Sequence, residues 1–386
     1  MNSNKRNLMI IAGEVSGDMH GAALIHELKK LDHNIEIYGI GGNLMKSEGA
    51  YLIYHLNRMA LMGFVEVVKH IPFIKKVQSE LIELVKEKNI ATVVLIDYPG
   101  FNLNIAEKLK SLNVEIIYYI SPQVWAWGKN RVNKIKRLVD KMIVVFPFEH
   151  EIYKTAGIDV DYVGHPLMEI IAGHQYLSKE DLFNEYQLDF AKDILLLMPG
   201  SRKHEVEKIF PESIKAGEKL SNDFNMQIVV SASQNISEDF LFKIAKKSKF
   251  KVIKGHTYDL MKYSKFGIIK SGTSTLEAAI FELPMVIVYK TSTLSYLIGK
   301  NLIKVKNIGM ANIILNEQVV PELVQHNALH KMIYEKSKEI LSNQDLYKSI
   351  KQKLSLVKEK LGENGASKKA AQIIFTMMDD TQNNKT

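Results

Sequence analysis

The chain has 386 residues, a formal charge of +8, no cysteine, 46% hydrophobic and 24% charged content, so it is long enough for two ordinary domains and too apolar for a disordered chain. The absence of cysteine excludes disulfides, thiolate nucleophiles and cysteine-based metal centres, and suits a reducing cytoplasm. The basic residues are scattered rather than interleaved with aromatics, which argues against a nucleic-acid partner.

The start, MNSNKRNLMIIAGE, places basic residues before an apolar run, but the run covers only Leu8 to Ala12 and Glu14 ends it. Neither a signal peptide nor a membrane span is expected. In chain order, short β-branched runs at 8–12, 35–40, 92–96, 115–120 and 141–145 predict strands, with helices over 22–31, 73–88, 102–112 and 129–139. A second series follows Val163-Gly164-His165-Pro166, with strands at 194–198, 227–231, 251–253, 266–270 and 285–289 and helices at 205–220, 238–247 and 273–281. This repeated βαβ rhythm predicts an α/β protein of two Rossmann-like, doubly wound domains whose loops face a central cleft. A hinge is expected near 164–168. From Ala328 the pattern turns helical, and Gly362 is a natural stop. The expected division is a first domain over 1–165, a second over 166–340, C-terminal helices over 341–378 and a disordered tail over 379–386.

Strand-to-helix junctions carry the chemistry. In IAGEVSGDMHG, from Ile11 to Gly21, an apolar strand runs into a turn punctuated by Gly13, Gly17 and Gly21 and bearing Glu14, Ser16, Asp18 and His20. Such glycines allow close backbone approach, and the next helix aims unpaired amides at an anion. The spacing is neither the dinucleotide fingerprint nor a Walker phosphate loop. An ordinary turn with incidental polar residues is the plain alternative. Asp97 follows the apolar run 92–96 and precedes Tyr98-Pro99-Gly100-Phe101-Asn102, a position suited to a general base or to a turn residue that caps amides.

In the second series, Pro199-Gly200-Ser201-Arg202 offers amides, a hydroxyl and a guanidinium to a diphosphate, or forms a capped helix with an exposed arginine. The segment Ser271-Gly272-Thr273-Ser274-Thr275-Leu276-Glu277 repeats the device, with Glu277 one turn on to accept from a ribose diol. Two helix N-termini and Arg202 together could stabilise a leaving diphosphate without metal. No D-x-D pair ends a strand and the histidines are dispersed, so neither a metal site nor a cofactor is expected.

Together, IAGEVSGDMHG, GIGGNLMKSEG, MGFVEV, IDYPGFN, YYISPQVWAWG, VGHPL, LMPGSR, SGTSTLEAA and NIGMANIILNEQVVPELVQ resemble the lipid-A-disaccharide synthase family over nearly the whole chain. The resemblance implies an inverting, metal-independent glycosyltransferase of GT-B fold. Its donor would be UDP-2,3-diacylglucosamine, its acceptor 2,3-diacylglucosamine 1-phosphate, and its products UDP and a β-1′,6-linked disaccharide 1-phosphate. By the same resemblance Asp97 takes the proton of the acceptor's 6-hydroxyl, with Glu14 orienting it or sharing that task. Gly200, Ser201, Arg202, Ser271, Gly272, Thr273 and Ser274 would serve the diphosphate, Glu277 the ribose and Asn312 the donor. Ser16, Gly17, Asp18 and His20 would line the cleft. Tyr98 departs from the small residue that often follows the family's aspartate, which puts fine acceptor geometry in question.

Acylated substrates need an apolar surface. The stretches from Met59 to Val65 and from His70 to Lys76 mix methionines and aromatics with lysines, as expected of a surface entering the inner leaflet, or of ordinary helix core. Lys129, Arg131, Lys134, Lys136, Arg137 and Lys141 suit an acidic membrane, a phosphorylated substrate or a solvated helix face. The expectation is a cytoplasmic protein peripherally attached to the inner membrane. Its helical tail would return to the first domain or exchange with a second copy in a homodimer. Competing readings are a UDP-N-acetylglucosamine 2-epimerase, the transferase that adds N-acetylglucosamine to lipid-linked muramyl pentapeptide, and a non-catalytic UDP-sugar sensor.

Overall fold

A computed structural model describes residues 6–60, 71–125, 130–291 and 306–383. The chain forms two compact units, Met1–Glu169 with Leu361–Thr386, and Ile170–Lys360.

In the first unit the described strands are β1 (Asn7–Ala12), β2 (Glu36–Gly41), β3 (Tyr51–His55), β4 (Thr92–Ile96), β5 (Glu115–Tyr119), β6 (Lys141–Val144) and β7 (Val160–Tyr162). They lie in the order β3-β2-β1-β4-β5-β6-β7, every pair parallel. The chain winds outward from β1 through β2 and β3, then restarts on the other side of β1 with β4. The crevice between those strand tips is therefore a topological switch point, where such sheets bind ligands. Residues 8–12 of β1 are fully buried, which is why that strand reads as an unbroken apolar run rather than an alternation.

The second unit repeats the plan with β8 (Asp193–Met198), β9 (Met226–Ser231), β10 (Lys251–Ile253), β11 (Ser264–Lys270), β12 (Met285–Tyr289) and β13 (Glu322–Val324). Their order is β10-β9-β8-β11-β12-β13, again parallel, with the switch between β8 and β11.

The structure differs from the sequence reading in three respects. The helix expected from 22 starts at Val15 and runs to Leu31. Its glycines are packing residues: a Cβ on Gly17 would stand 3.3 Å from the Ala12 Cβ, and one on Gly21 would stand 2.6 Å from the Met45 sulfur. Glycine therefore lets this helix lie close on the sheet. Second, β3, β7 and β13 form short edge strands that the periodicity did not reveal. Third, the tail expected to be disordered from 379 continues the helix Ala366–Asn383.

The helix Gln344–Leu361 belongs almost wholly to the second unit and stops at Gly362, whose φ of +81° suits glycine. The helix Ala366–Asn383 returns to the first unit. There Arg6 bonds Asp379 at 2.9 Å and lies 4.7 Å over the Phe375 ring.

Candidate active site

β1 and β4 are paired so that Ala12 stands beside Ile96. The residues that follow, Gly13-Glu14 and Asp97-Tyr98, consequently share one edge of the sheet. Asp97 and Tyr98 both have a φ of +45°, a left-handed conformation that costs a non-glycine residue about 1 kcal/mol or more. A net of buried donors holds them there. Asn102, fully buried, donates its amide to the carbonyls of Ile96 at 3.2 Å and Asp97 at 2.8 Å. The Tyr118 hydroxyl donates to the same Asp97 carbonyl at 2.5 Å, and the Asp97 amide donates to Tyr119 O at 3.3 Å. Backbone strain held this firmly at a switch point makes the pair a candidate functional position.

Burial pushes the Asp97 carboxyl up to about 6, and the charge of Glu14 adds to the rise. It is thereby a stronger base than an ordinary aspartate while still ionised at neutral pH. Glu14 is exposed at the N-cap of the helix Val15–Leu31. The Tyr98 ring packs so close that a Cβ on Gly13 would stand 2.3 Å from it, and it stacks on Phe101 at 5.9 Å between centroids. Tyr98 thus occupies space that only a glycine at 13 leaves open.

The other residues read from this segment have separate roles. Ser16 is exposed and Gly17 is buried against β1. Asp18 is 4% exposed and accepts from the amides of Gly42 at 2.6 Å, Met45 at 3.0 Å and Leu44 at 3.1 Å. Its carboxylate is committed to capping the helix Asn43–Ser47. His20 is buried with no partner for Nδ1 among the described residues, and burial pushes it down to about 4. Burial, and secondarily His20, pushes His165 down to about 3. The two rings are neighbours that stay neutral at physiological pH.

In the second unit β8 and β11 pair with Met198 beside Ile269, so the turns after them meet. A cavity of about 580 Å³ opens at these tips, lined by Gly200, Ser201, Arg202, Gly272, Thr273, Ser274 and Glu277 among others. Every one of these was read from the sequence. Gly200 has a φ of +118°, which favours glycine, and a Cβ there would crowd Glu205, with Oε2 at 2.8 Å and Cβ at 3.2 Å. The helices Lys203–Asp223 and Thr273–Ile280 start at this cavity, which gives it free amides and partial positive charge.

Glu277 accepts from the Tyr258 hydroxyl at 3.2 Å, and burial pushes its carboxyl up. Across from it His174 donates from Nε2 to Asp259 at 3.1 Å, and Asp259 is fully buried. The His174 ring meets Tyr258 edge-on at 5.2 Å. Tyr258, His174 and Lys270 all line the cavity and were missed in the sequence. Lys270 ends a strand and was open to the rule that found Asp97, whereas nothing local marks His174.

Ser271 and Asn312 stand behind the cavity wall. Asn312, fully buried, donates to Val320 O at 2.9 Å and Glu322 Oε1 at 2.7 Å while accepting from the amides of Val319 and Val320. Glu322 accepts from the amides of Ile308 and Gly309, and Ser271 donates to Ile308 O. Asn312 thus braces the loop that Ser271 touches.

The basic cluster is partly neutralised. Glu107 pairs with Lys134 at 2.9 Å and Arg137 at 3.0 Å, and Lys141 pairs with Asp159 and Asp161 at 2.7 Å each. Phe64 and Trp127 lie outside the described residues. Phe73 packs edge-on against Tyr54 at 5.6 Å, whereas Ile71 is exposed.

Comparison with known proteins adds an independent finding. The family described as lipid-A-disaccharide synthetase matches residues 8–376. The lipid-A-disaccharide synthase of Geobacter sulfurreducens is 37% identical over 379 residues, covering 97% of this chain and 98% of the relative. That of Syntrophus aciditrophicus is 38% identical with the same coverage. Among solved structures, the UDP-GlcNAc 2-epimerase from Neisseria meningitidis bound to UDP-GlcNAc is similar at a TM-score of 0.66 and 12% identity, covering 96% of this chain and all of that one. The calicheamicin glycosyltransferase CalG4 is similar at a TM-score of 0.60 and 12% identity, covering 97% and 99%. These two likenesses concern the fold, which is that of GT-B glycosyltransferases.

Proposed function

Since this chain belongs to the lipid-A-disaccharide synthetase family, we propose that Asp97 is its catalytic base and that the cavity of the second unit receives the UDP moiety of its donor. The chain is a glycosyltransferase of lipid A biosynthesis, with a UDP-sugar donor and a lipid acceptor. It transfers 2,3-diacylglucosamine from UDP-2,3-diacylglucosamine to the 6-hydroxyl of 2,3-diacylglucosamine 1-phosphate and releases UDP.

In our reading the Asp97 carboxylate accepts the hydroxyl proton as the acceptor oxygen attacks the anomeric carbon. The bond from that carbon to the UDP oxygen breaks on the opposite face, so the configuration inverts. Negative charge collecting on UDP meets Arg202 and the two helix N-termini. Glu277 accepts from the ribose diol. Glu14 contributes by raising the basicity of Asp97. Asp18, Gly17 and Asn312 act by holding backbone in place, and Ser16 and His20 border the acceptor side. The single observation that carries this reading is the strained Asp97-Tyr98 pair held by Asn102 and Tyr118 at the switch point.

Purified protein given both acylated sugars should yield UDP and disaccharide by mass spectrometry, with and without chelator. An epimerised donor formed without acceptor would overturn the reading.

Among the described residues no helix is long and apolar enough to cross a membrane. We further propose peripheral attachment to the inner leaflet on the cytoplasmic side, through the segment around Phe64 and the exposed start of the helix Ile71–Glu87 with Lys75 and Lys76. Flotation with anionic liposomes should weaken in the double variant Phe64→Ser, Ile71→Ser. A homodimer is tested by light scattering.

A further inference from the structure

β11 ends on Lys270, which lines the same cavity as Thr273 and Ser274. Its side chain is only 19% exposed, and its ammonium bonds Glu205 Oε1 at 3.0 Å. The same ammonium lies 3.7 Å from where a Cβ of Gly272 would stand, over the turn that starts the helix Thr273–Ile280. Arg202 adds a second cation, with Nη1 3.8 Å from the same Glu205 oxygen. Two guests of positive sign and two helix N-termini therefore converge on a single carboxylate that is 11% exposed. Glu205 sets one negative charge against two cations and two positive helix ends, so the site keeps an excess of positive charge that a bound anion would balance.

We propose that Lys270 is a binding residue for the donor's diphosphate, and that Glu205 holds its ammonium in place until the diphosphate takes over as its counter-charge. The inference rests on the reading of this cavity as the UDP site. A lysine suits the role because its compact charge sits on a flexible stem and can follow negative charge that builds up as UDP departs, whereas the planar fork of Arg202 fixes an orientation.

Calorimetry on the full chain with UDP and with uridine tests it. Lys270→Met should weaken UDP by about tenfold or more, leave uridine within about twofold, and flatten the salt dependence of UDP binding. Lys270→Arg should restore most of the UDP affinity. Should the methionine variant fail to fold, Lys270→Gln keeps a donor for Glu205 and reads the same way. A variant that binds UDP as the wild type does, or that loses UDP and uridine alike, overturns the inference while leaving the site reading intact. A wild-type chain that binds neither ligand overturns both.

Discussion

The side-chain amide of Asn102 reaches back 2.8 Å to the carbonyl of Asp97, so a fully buried residue on the helix Pro99–Lys110 holds the left-handed backbone of the proposed base. Replacing Asn102 with Ala should destabilise the protein by about 1–3 kcal/mol, because two buried carbonyls lose that donor. It should also lower kcat far more than it weakens UDP. Urea denaturation and steady-state kinetics check the two halves separately.

Asp97→Asn should reduce kcat by about 10²–10⁴ with UDP affinity unchanged. In the wild type, activity should fall as pH drops through about 6, where the raised carboxyl becomes protonated. Stability moves the other way. A carboxyl raised from 3.8 to about 6 is more easily protonated folded than unfolded, so folding stability is lost as pH rises between those values. The asparagine variant escapes that loss and should be more stable than the wild type at pH 7 by up to ~2–3 kcal/mol, an advantage that disappears below about pH 4. Thermal melts across the pH range decide this.

Tyr258→Phe removes the phenol that donates to buried Glu277. The expected outcome is UDP weakened by about five- to tenfold, with Glu277→Gln weakening it by a similar amount and the double variant falling short of the sum. Calorimetry with UDP and its 2′-deoxy analogue measures the coupling, since the deoxy ligand should be less sensitive to Glu277→Gln.

Asn312→Ala should cost about 2–4 kcal/mol, since three backbone groups and one carboxylate lose their partner in a fully buried setting. Denaturation gives the size, and UDP titration of the folded fraction should show only a modest loss if Asn312 acts through the loop at 308.

The central strands were legible because they are apolar on both faces: Thr92–Ile96 and Met285–Tyr289 run where the pattern placed them, and the edge strand Lys251–Ile253 was read as well. Tyr51–His55, Val160–Tyr162 and Glu322–Val324 escaped because an edge strand is short and half solvated, so it lacks that uninterrupted stretch. Helix start 15 was misplaced because Gly17 and Gly21 look like turn residues until their contacts with Ala12 and Met45 are seen. Reading strand tips picked out Arg202 and Glu277, which line the cavity, and Asp97, which follows the tip of Thr92–Ile96. Asp18 and Asn312 were identifiable as polar residues of importance, yet only coordinates reveal that their oxygens and amides are spent on backbone. His174 and Tyr258 enter the cavity by tertiary packing alone.

The amide of His165 donates to Leu361 O at 3.1 Å, and that of Ser367 donates to Glu169 at 2.8 Å. The outgoing and returning passages are stitched together, so the second unit is in effect a long insertion between residues 169 and 361 of the first. During synthesis the unit that carries Asp97 must therefore wait for the last helix to emerge before its sheet is fully covered. Nascent chains stalled before that point should remain protease-sensitive in their opening residues even after the inserted portion has become resistant.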